Sequence, residues 1–486
     1  MNDYIKKEDR KKILLLADDM RLKSGIATMS REIIVGTAHH YNWVQIGAAI
    51  NHPDKGKILD LSDDINQIRG IDDADVRIIA NDGYGDCQLV RGVIASERPD
   101  AVFIFTDPRY WTWLFEMERE IRSKIPLVYL NIWDNLPYPM YNKPYYESCD
   151  AFFAISKQTK NINEQVLGPE LAAERIIRYI PHGVSSKFKP VATDDQAFID
   201  FKKSIWKENE PGFKLLYNAR NIGRKKCGTL IMGWREFCDN LKKEEAQNCE
   251  LVMHTDIVDN AGTDLKAIVD SFCDPDHCKV RFIEEKWPTE TLNLLYNACD
   301  GVILPSTNEG WGLSLTEALN VGKMIIATVT GGMQDQMRIT LKGSDKWIDF
   351  TREYPSHHRM VYDFDRYEWG KWAIPLFPEQ TLCGSVPTPY IWDDNVTPTD
   401  ISLGILNLYS MSREEREQRG ALGREWATGD EAGFTSAKMA ERIIEGLEAT
   451  FENFKPRSEF DLVKVEDRPS GYVKDFDPNN YRYDGC

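Results

Sequence analysis

Two glutamates eight residues apart, Glu309 and Glu317, lie in the segment richest in chemistry-bearing residues, PSTNEGWGLSLTEALNVGKMIIATVTGG at 305–332. It reads as a strand end, a turn through Asn308-Glu309-Gly310-Trp311-Gly312, and a helix entered at about Leu313. Glycines let a ligand approach the backbone closely, and a helix start offers unpaired N–H groups and the positive end of a dipole. That combination suits a diphosphate, with Glu309 in the loop and Glu317 in the helix able to meet hydroxyl groups of one extended ligand. Ser314 and Glu317 also have the S-x-x-E spacing of a capping box, in which Glu317 only closes the helix start. Spacing alone leaves both readings open. A second cluster follows another apolar run: NARNIGRK at 218–225, with Lys226 behind it, gathers Arg220, Arg224, Lys225 and Lys226. Such a cluster is ordinarily a solvated face, but at a strand end it is also where α/β sheets hold ligands.

These residues need strands and helices to hold them. Apolar runs at 12–17, 76–80, 101–105, 127–131, 151–156 and 176–180 alternate with amphipathic stretches such as 110–123. Short continuous apolar strands with helical spacers predict a parallel sheet covered on both faces. After a polar stretch at 191–212 the pattern restarts with runs at 214–219, 251–254, 280–283, 301–305 and 324–328. The expected fold class is α/β, with two doubly wound, Rossmann-like domains facing each other across a cleft. The expected division is 1–190 and 191–435, with an aromatic- and proline-rich insert at about 340–390. A helix at 436–456 is free to pack back on the first domain, and 457–486 is a polar tail.

Composition narrows the function classes. The chain has 486 residues, 42% hydrophobic and 11% aromatic, enough for real cores in two or three domains. Sixty Lys and Arg against 77 Asp and Glu leave a net charge of −17, which argues against a general nucleic-acid binder. No run approaches the ~18 apolar residues of a membrane helix, and the start MNDYIKKEDRKK lacks the apolar core of a signal peptide. Ten scattered cysteines fit a reducing cytosol, so a cytoplasmic location is expected. Cys273-Asp-Pro-Asp-His277-Cys278 lacks the second matching pair of a zinc site, so no metal is expected.

The segment at 309–328 closely resembles the E-x7-E signature of the family-4 retaining glycosyltransferases with the GT-B fold. The match runs through Glu309-Gly310-Trp311-Gly312-Leu313, Glu317, Gly322 and the strand 324–328. The resemblance implies that Glu309 lies beside a donor sugar, that Glu317 binds the nucleotide ribose, and that the Gly310–Leu313 backbone lines the sugar and diphosphate. Arg220 and Lys225 resemble the family's diphosphate-binding pair, and Gly25 resembles the glycine of the loop that faces the donor phosphates. Leu130-Asn131-Ile132-Trp133-Asp134 stands where many members carry His-Asp. Trp133 cannot accept a proton, while Asp134 is a candidate for the acceptor hydroxyl or the donor sugar, an ordinary turn aspartate being the alternative.

The resemblance therefore implies a metal-independent hexosyl- or pentosyltransferase. Its co-substrate would be a UDP- or GDP-sugar on the second domain, its acceptor an unidentified hydroxyl on the first, and no cofactor would be tightly bound. Two alternatives are a catalytically silent nucleotide-sugar-binding scaffold and a GT-B isomerase or hydrolase of the nucleotide sugar.

Overall fold

The computed structural model describes residues 4–48, 54–349, 366–386 and 388–458. The expected insert lies partly, and the expected tail almost wholly, outside the described residues.

Eight strands form the first sheet: β1 (Lys11–Asp18), β2 (Tyr41–Ala48), β3 (Ile58–Asp60), β4 (Val76–Ala80), β5 (Ala101–Phe105), β6 (Leu127–Asn131), β7 (Ala151–Ala154) and β8 (Ile176–Tyr179). Their order is β3-β4-β2-β1-β5-β6-β7-β8, and only the edge strand β3 runs antiparallel. In register, Leu15 of β1 faces Gln45 on one side and Phe103 on the other. Helices on both faces exclude water, which is why KILLLA and AVFIF read as continuous apolar runs.

Strand β2 carries no such run, because Asn42 and Gln45 interrupt its apolar residues. It is nevertheless buried along its whole length. The Gln45 amide is satisfied there, donating to the Asp18 carbonyl (2.8 Å) and accepting from the Met20 N–H (3.1 Å).

The amphipathic stretch at 110–123 folds as short pieces, Pro108–Trp111, Thr112–Glu116 and Glu118–Arg122, broken at Met117. The last piece buries Arg122 completely, forked onto Asp150 at 2.7 and 3.0 Å.

The second sheet contains β9 (Phe213–Asn218), β10 (Cys249–His254), β11 (Val280–Ile283), β12 (Gly301–Leu304) and β13 (Met324–Thr328). A short antiparallel pair, β14 (Thr340–Leu341) with β15 (Tyr367–Glu368), precedes the sixth strand, β16 (Ala373–Leu376). The order β11-β10-β9-β12-β13-β16 is parallel throughout and reverses between β9 and β12; the first sheet reverses between β1 and β5. These reversals are the points at which adjacent loops diverge and leave a crevice beyond the carboxyl ends of the strands. A hairpin, β17 (Glu379–Ser385) and β18 (Thr388–Asn395), stands outside both sheets.

The chain returns to the first sheet through the Ser436–Asn453 helix. Its Glu448 accepts from the Tyr41 hydroxyl (2.7 Å) and from the Lys11 ammonium (2.9 Å). Ala440 packs so closely on Gly36 that a Cβ there would come within 2.6 Å of it. Among the described residues no helix is long and apolar enough to cross a membrane.

Candidate active site

The two switch points face each other. The loop after β12 carries Glu309 and leads into the Leu313–Val321 helix, and the loop after β9 carries Arg224 and Lys225. Across the cleft, the loop after β1 leads into the Gly25–Thr37 helix, whose N-cap Ser24 accepts from the Ala27 N–H. The walls are close: a Cβ on Gly25 would lie 3.7 Å from Leu313, and one on Gly310 would lie 2.9 Å from the Ile132 carbonyl.

Glu309 is buried between two cations. Its carboxylate is 2.9 Å from Arg224 Nη1 and in direct contact with Lys225 Nζ. Arg224 also donates to the Asn308 carbonyl (2.7 Å), and the Thr307 N–H donates back to the Arg224 carbonyl (2.9 Å), which ties the two loops together. Burial pushes the Glu309 carboxyl up, but Arg224 and Lys225 outweigh it and hold it down to about 2. Glu309 is an anion throughout the physiological range.

Glu317 lies in a different setting. The helix start falls at Leu313 with Gly312 as its N-cap at φ +88°, a left-handed conformation that favours glycine. Ser314 is therefore inside the helix and no capping box forms. Gly312 supplies no capping side chain; the Leu315 N–H turns back to the Gly312 carbonyl (3.0 Å), and among the described residues no side chain caps the helix start. Glu317 accepts instead from the Tyr296 hydroxyl and, at 3.4 Å, from the Asn218 amide. Burial pushes its carboxyl up to about 7, against the pull of those two donors.

Asp134 faces the same cleft from the end of β6. Burial pushes it up to about 6; Arg224 lowers it and Glu309 raises it, so all three share one electrostatic neighbourhood. The Trp133 ring is buried, its Nε1–H donating to the Asn135 carbonyl (3.0 Å) with Tyr141 edge-on at 5.9 Å. Trp311 also turns inward, donating to the Thr316 hydroxyl (2.7 Å) and packing on Phe434, so only its backbone borders the cleft.

The structure thus brings Lys225, Glu309, Asp134, Gly25, Gly310, Gly312 and Leu313 to one cleft, with Glu317 behind the helix start. It does not bring Arg220 to Glu309. That side chain is 65% exposed and paired with Asp259 at 2.7 Å. Arg224, grouped in the sequence only with its basic neighbours, occupies the position beside Glu309.

Sequence reasoning did not assign the partners of Glu317. Asn218 lies within the quoted basic segment, but Tyr296, on the Thr289–Ala298 helix, belongs to no motif and is found only by packing. Among the described residues no group of three His, Cys, Asp or Glu is placed to hold a metal ion.

Residues 275–343, which include both glutamates, match the family described as Glycosyl transferases group 1. A stretch of 55 residues is 44% identical to D-inositol 3-phosphate glycosyltransferase of Corynebacterium urealyticum, covering 11% of this chain and 13% of that protein. The match therefore spans about an eighth of that relative.

Solved structures align over almost the whole described fold. Sucrose-phosphate synthase of Thermosynechococcus elongatus superposes with a TM-score of 0.62 at 15% identity, over 91% of this chain and 100% of that one. Anabaena HepE, solved with UDP and glucose, gives 0.60 at 13% identity over 90% and 100%. An E. coli trehalose-6-phosphate structure bound with UDP-2-fluoro glucose gives 0.57 at 9% identity over 90% and 99%. The chain has the α/β fold of the GT-B glycosyltransferases, and the stretch that matches the group 1 family is the one that holds Glu309 and Glu317.

Proposed function

We propose that the protein is a retaining glycosyltransferase that moves a hexosyl or pentosyl group from a UDP- or GDP-sugar to a hydroxyl acceptor. The observation that carries this reading is the buried Glu309 carboxylate held between Arg224 and Lys225 at one switch point, next to a helix start with no side-chain cap and opposite Gly25 and Asp134.

The diphosphate rests on the N–H groups at the start of the Leu313–Val321 helix, with Lys225 and Arg224 beside it. Arg220 stays at the rim, paired with Asp259. Glu317, with Tyr296 and Asn218, accepts from the ribose hydroxyls. Glu309 lies against the donor sugar and supports positive charge as it develops at the anomeric carbon.

In the reaction the bond from the anomeric carbon to the phosphate oxygen breaks, and its electrons leave with the diphosphate. The acceptor oxygen bonds the carbon on the same face, and the acceptor proton passes to the departing phosphate. Lys225 and Arg224 stabilise that leaving group, so the reading needs no metal ion. Asp134 orients the acceptor hydroxyl, and closure of the two walls keeps water from the donor.

The test is calorimetry with UDP, GDP, ADP and their common sugars, first without metal and then with magnesium, followed by donor turnover with a panel of hydroxyl acceptors. Tight metal-free binding of one nucleoside diphosphate, with transfer to an acceptor, is expected. Binding with the donor left intact by every acceptor would indicate a nucleotide-sugar-binding scaffold. Donor loss without any acceptor would indicate a hydrolase or isomerase. Absence of any binding would overturn the reading.

A further inference from the structure

The β17–β18 hairpin follows the last strand of the second sheet but reaches both walls of the cleft. On the first-sheet side, the Trp392 N–H donates to the Leu136 carbonyl (2.6 Å), and the Asn135 amide donates to the Trp392 carbonyl (3.2 Å). The Tyr141 hydroxyl donates to the Tyr390 carbonyl (3.1 Å), with the two rings edge-on at 5.0 Å, and Arg109 donates to the Thr388 hydroxyl.

On the second-sheet side, the Asn308 amide donates to the same Trp392 carbonyl at 2.9 Å. The Thr330 hydroxyl donates to the buried Asp394 carboxylate (2.6 Å). One carbonyl oxygen, with its two lone pairs, therefore accepts one bond from each wall. Asn135 is the neighbour of Asp134, and Asn308 is the neighbour of Glu309. The two residues held at that oxygen each adjoin a carboxylate of the cleft.

We propose that the hairpin is a positioning device: through the Trp392 carbonyl it fixes Asn135 and Asn308, and so holds Asp134 and Glu309 at one spacing across the closed cleft. Asn135, Asn308 and Trp392 are positioning residues that act through the carboxylates beside them. The same carbonyl makes closure cooperative, because a bond lost on one wall loosens the loop on the other. The catalytic part of the proposal rests on the reading of the cleft given above; the mechanical part does not.

The experiment therefore has two arms, on the full chain and on Asn135→Ala, Asn308→Ala and the double variant. In the first arm, donor turnover at saturating nucleotide sugar falls about five- to tenfold in each single variant, with nucleoside-diphosphate affinity unchanged. The double variant loses less than the product of the two, because both act at one atom. In the second arm, amide hydrogen exchange of the unliganded protein is compared. Asn308→Ala raises exchange at 133–136 as well as in its own loop, and Asn135→Ala raises it at 307–312.

Exchange confined to the mutated loop, or full turnover in both single variants, would overturn the proposal. If the parent protein neither binds nor consumes any nucleotide sugar, the reading of the cleft fails, and the exchange arm still decides whether the hairpin couples the two walls.

Discussion

Glu309 and Glu317 are the same residue type, eight positions apart in one loop-and-helix segment, and the fold gives them opposite electrostatics. Glu309 is as buried as a core residue but lies between Arg224 and Lys225, and ionises with a value of about 2. Glu317 meets only neutral donors, Tyr296 and Asn218, and is pushed up to about 7. Burial by itself disfavours the charged form of either carboxylate, and the sign of the net shift is decided by whether a cation is within contact. The first is a permanent anion holding two cations apart; the second is poised to titrate near neutral pH. Equal spacing in a motif therefore says nothing about equal chemistry.

Removing the anion gives the largest expected effect. Glu309→Gln should cut turnover roughly a thousandfold. It should also destabilise the fold by about 1–2 kcal/mol in denaturant titration, because the mostly covered Lys225 loses its counter-charge while the half-exposed Arg224 stays solvated. Nucleoside-diphosphate affinity should hold or increase, since Arg224 and Lys225 are then freed for phosphate. A parallel loss of turnover and nucleotide affinity would break the distinction drawn between the two glutamates.

The cations extend the comparison. Lys225→Met should weaken nucleoside-diphosphate binding by about ten- to a hundredfold in calorimetry. Arg220→Met, which removes an exposed surface pair, should change it by roughly threefold or less. Equal losses would show that Arg220 leaves Asp259 for the ligand.

The pH dependence of stability should differ in sign. Glu309 is held below its ordinary value near 4.5, so its contribution is present above about pH 4.5 and is lost as pH falls toward 2. Glu317 is held above its ordinary value, so the folded state keeps a proton that the unfolded chain has released. Stability from that group falls as pH rises from about 4.5 and levels off above about 7. Glu317→Gln should accordingly be more stable than the parent at pH 8 by about 1–2 kcal/mol and equal to it near pH 5. Thermal unfolding at the two pH values measures this.

Ser314→Ala gives the smallest effect. It should alter stability by no more than about 0.5 kcal/mol, because Ser314 is not the N-cap. A loss near 1–2 kcal/mol would restore the capping-box reading of Glu317.

Much of this architecture was legible in the chain. The alternation of apolar runs with amphipathic spacers and the restart after 191–212 correspond to the two parallel sheets, and the strand–loop–helix order at 301–321 placed Glu309 at a strand end. Strand β2 was not legible: its burial depends on Gln45 finding backbone partners from Asp18 and Met20, and no periodicity announces that. The same holds for the break of 110–123 at Met117, where the ion pairs of Arg122 accompany a turn that helix propensity does not foresee.

At the site, sequence alone determined which residue types gather after which strands, because strand ends and glycine turns are local properties. Tertiary structure alone decided that Arg224 rather than Arg220 meets Glu309, that Tyr296 holds Glu317, and that one carbonyl of a distant hairpin joins Asn135 to Asn308. Those outcomes depend on side-chain direction and desolvation. Both are set by the elements packed opposite a residue, not by its neighbours along the chain.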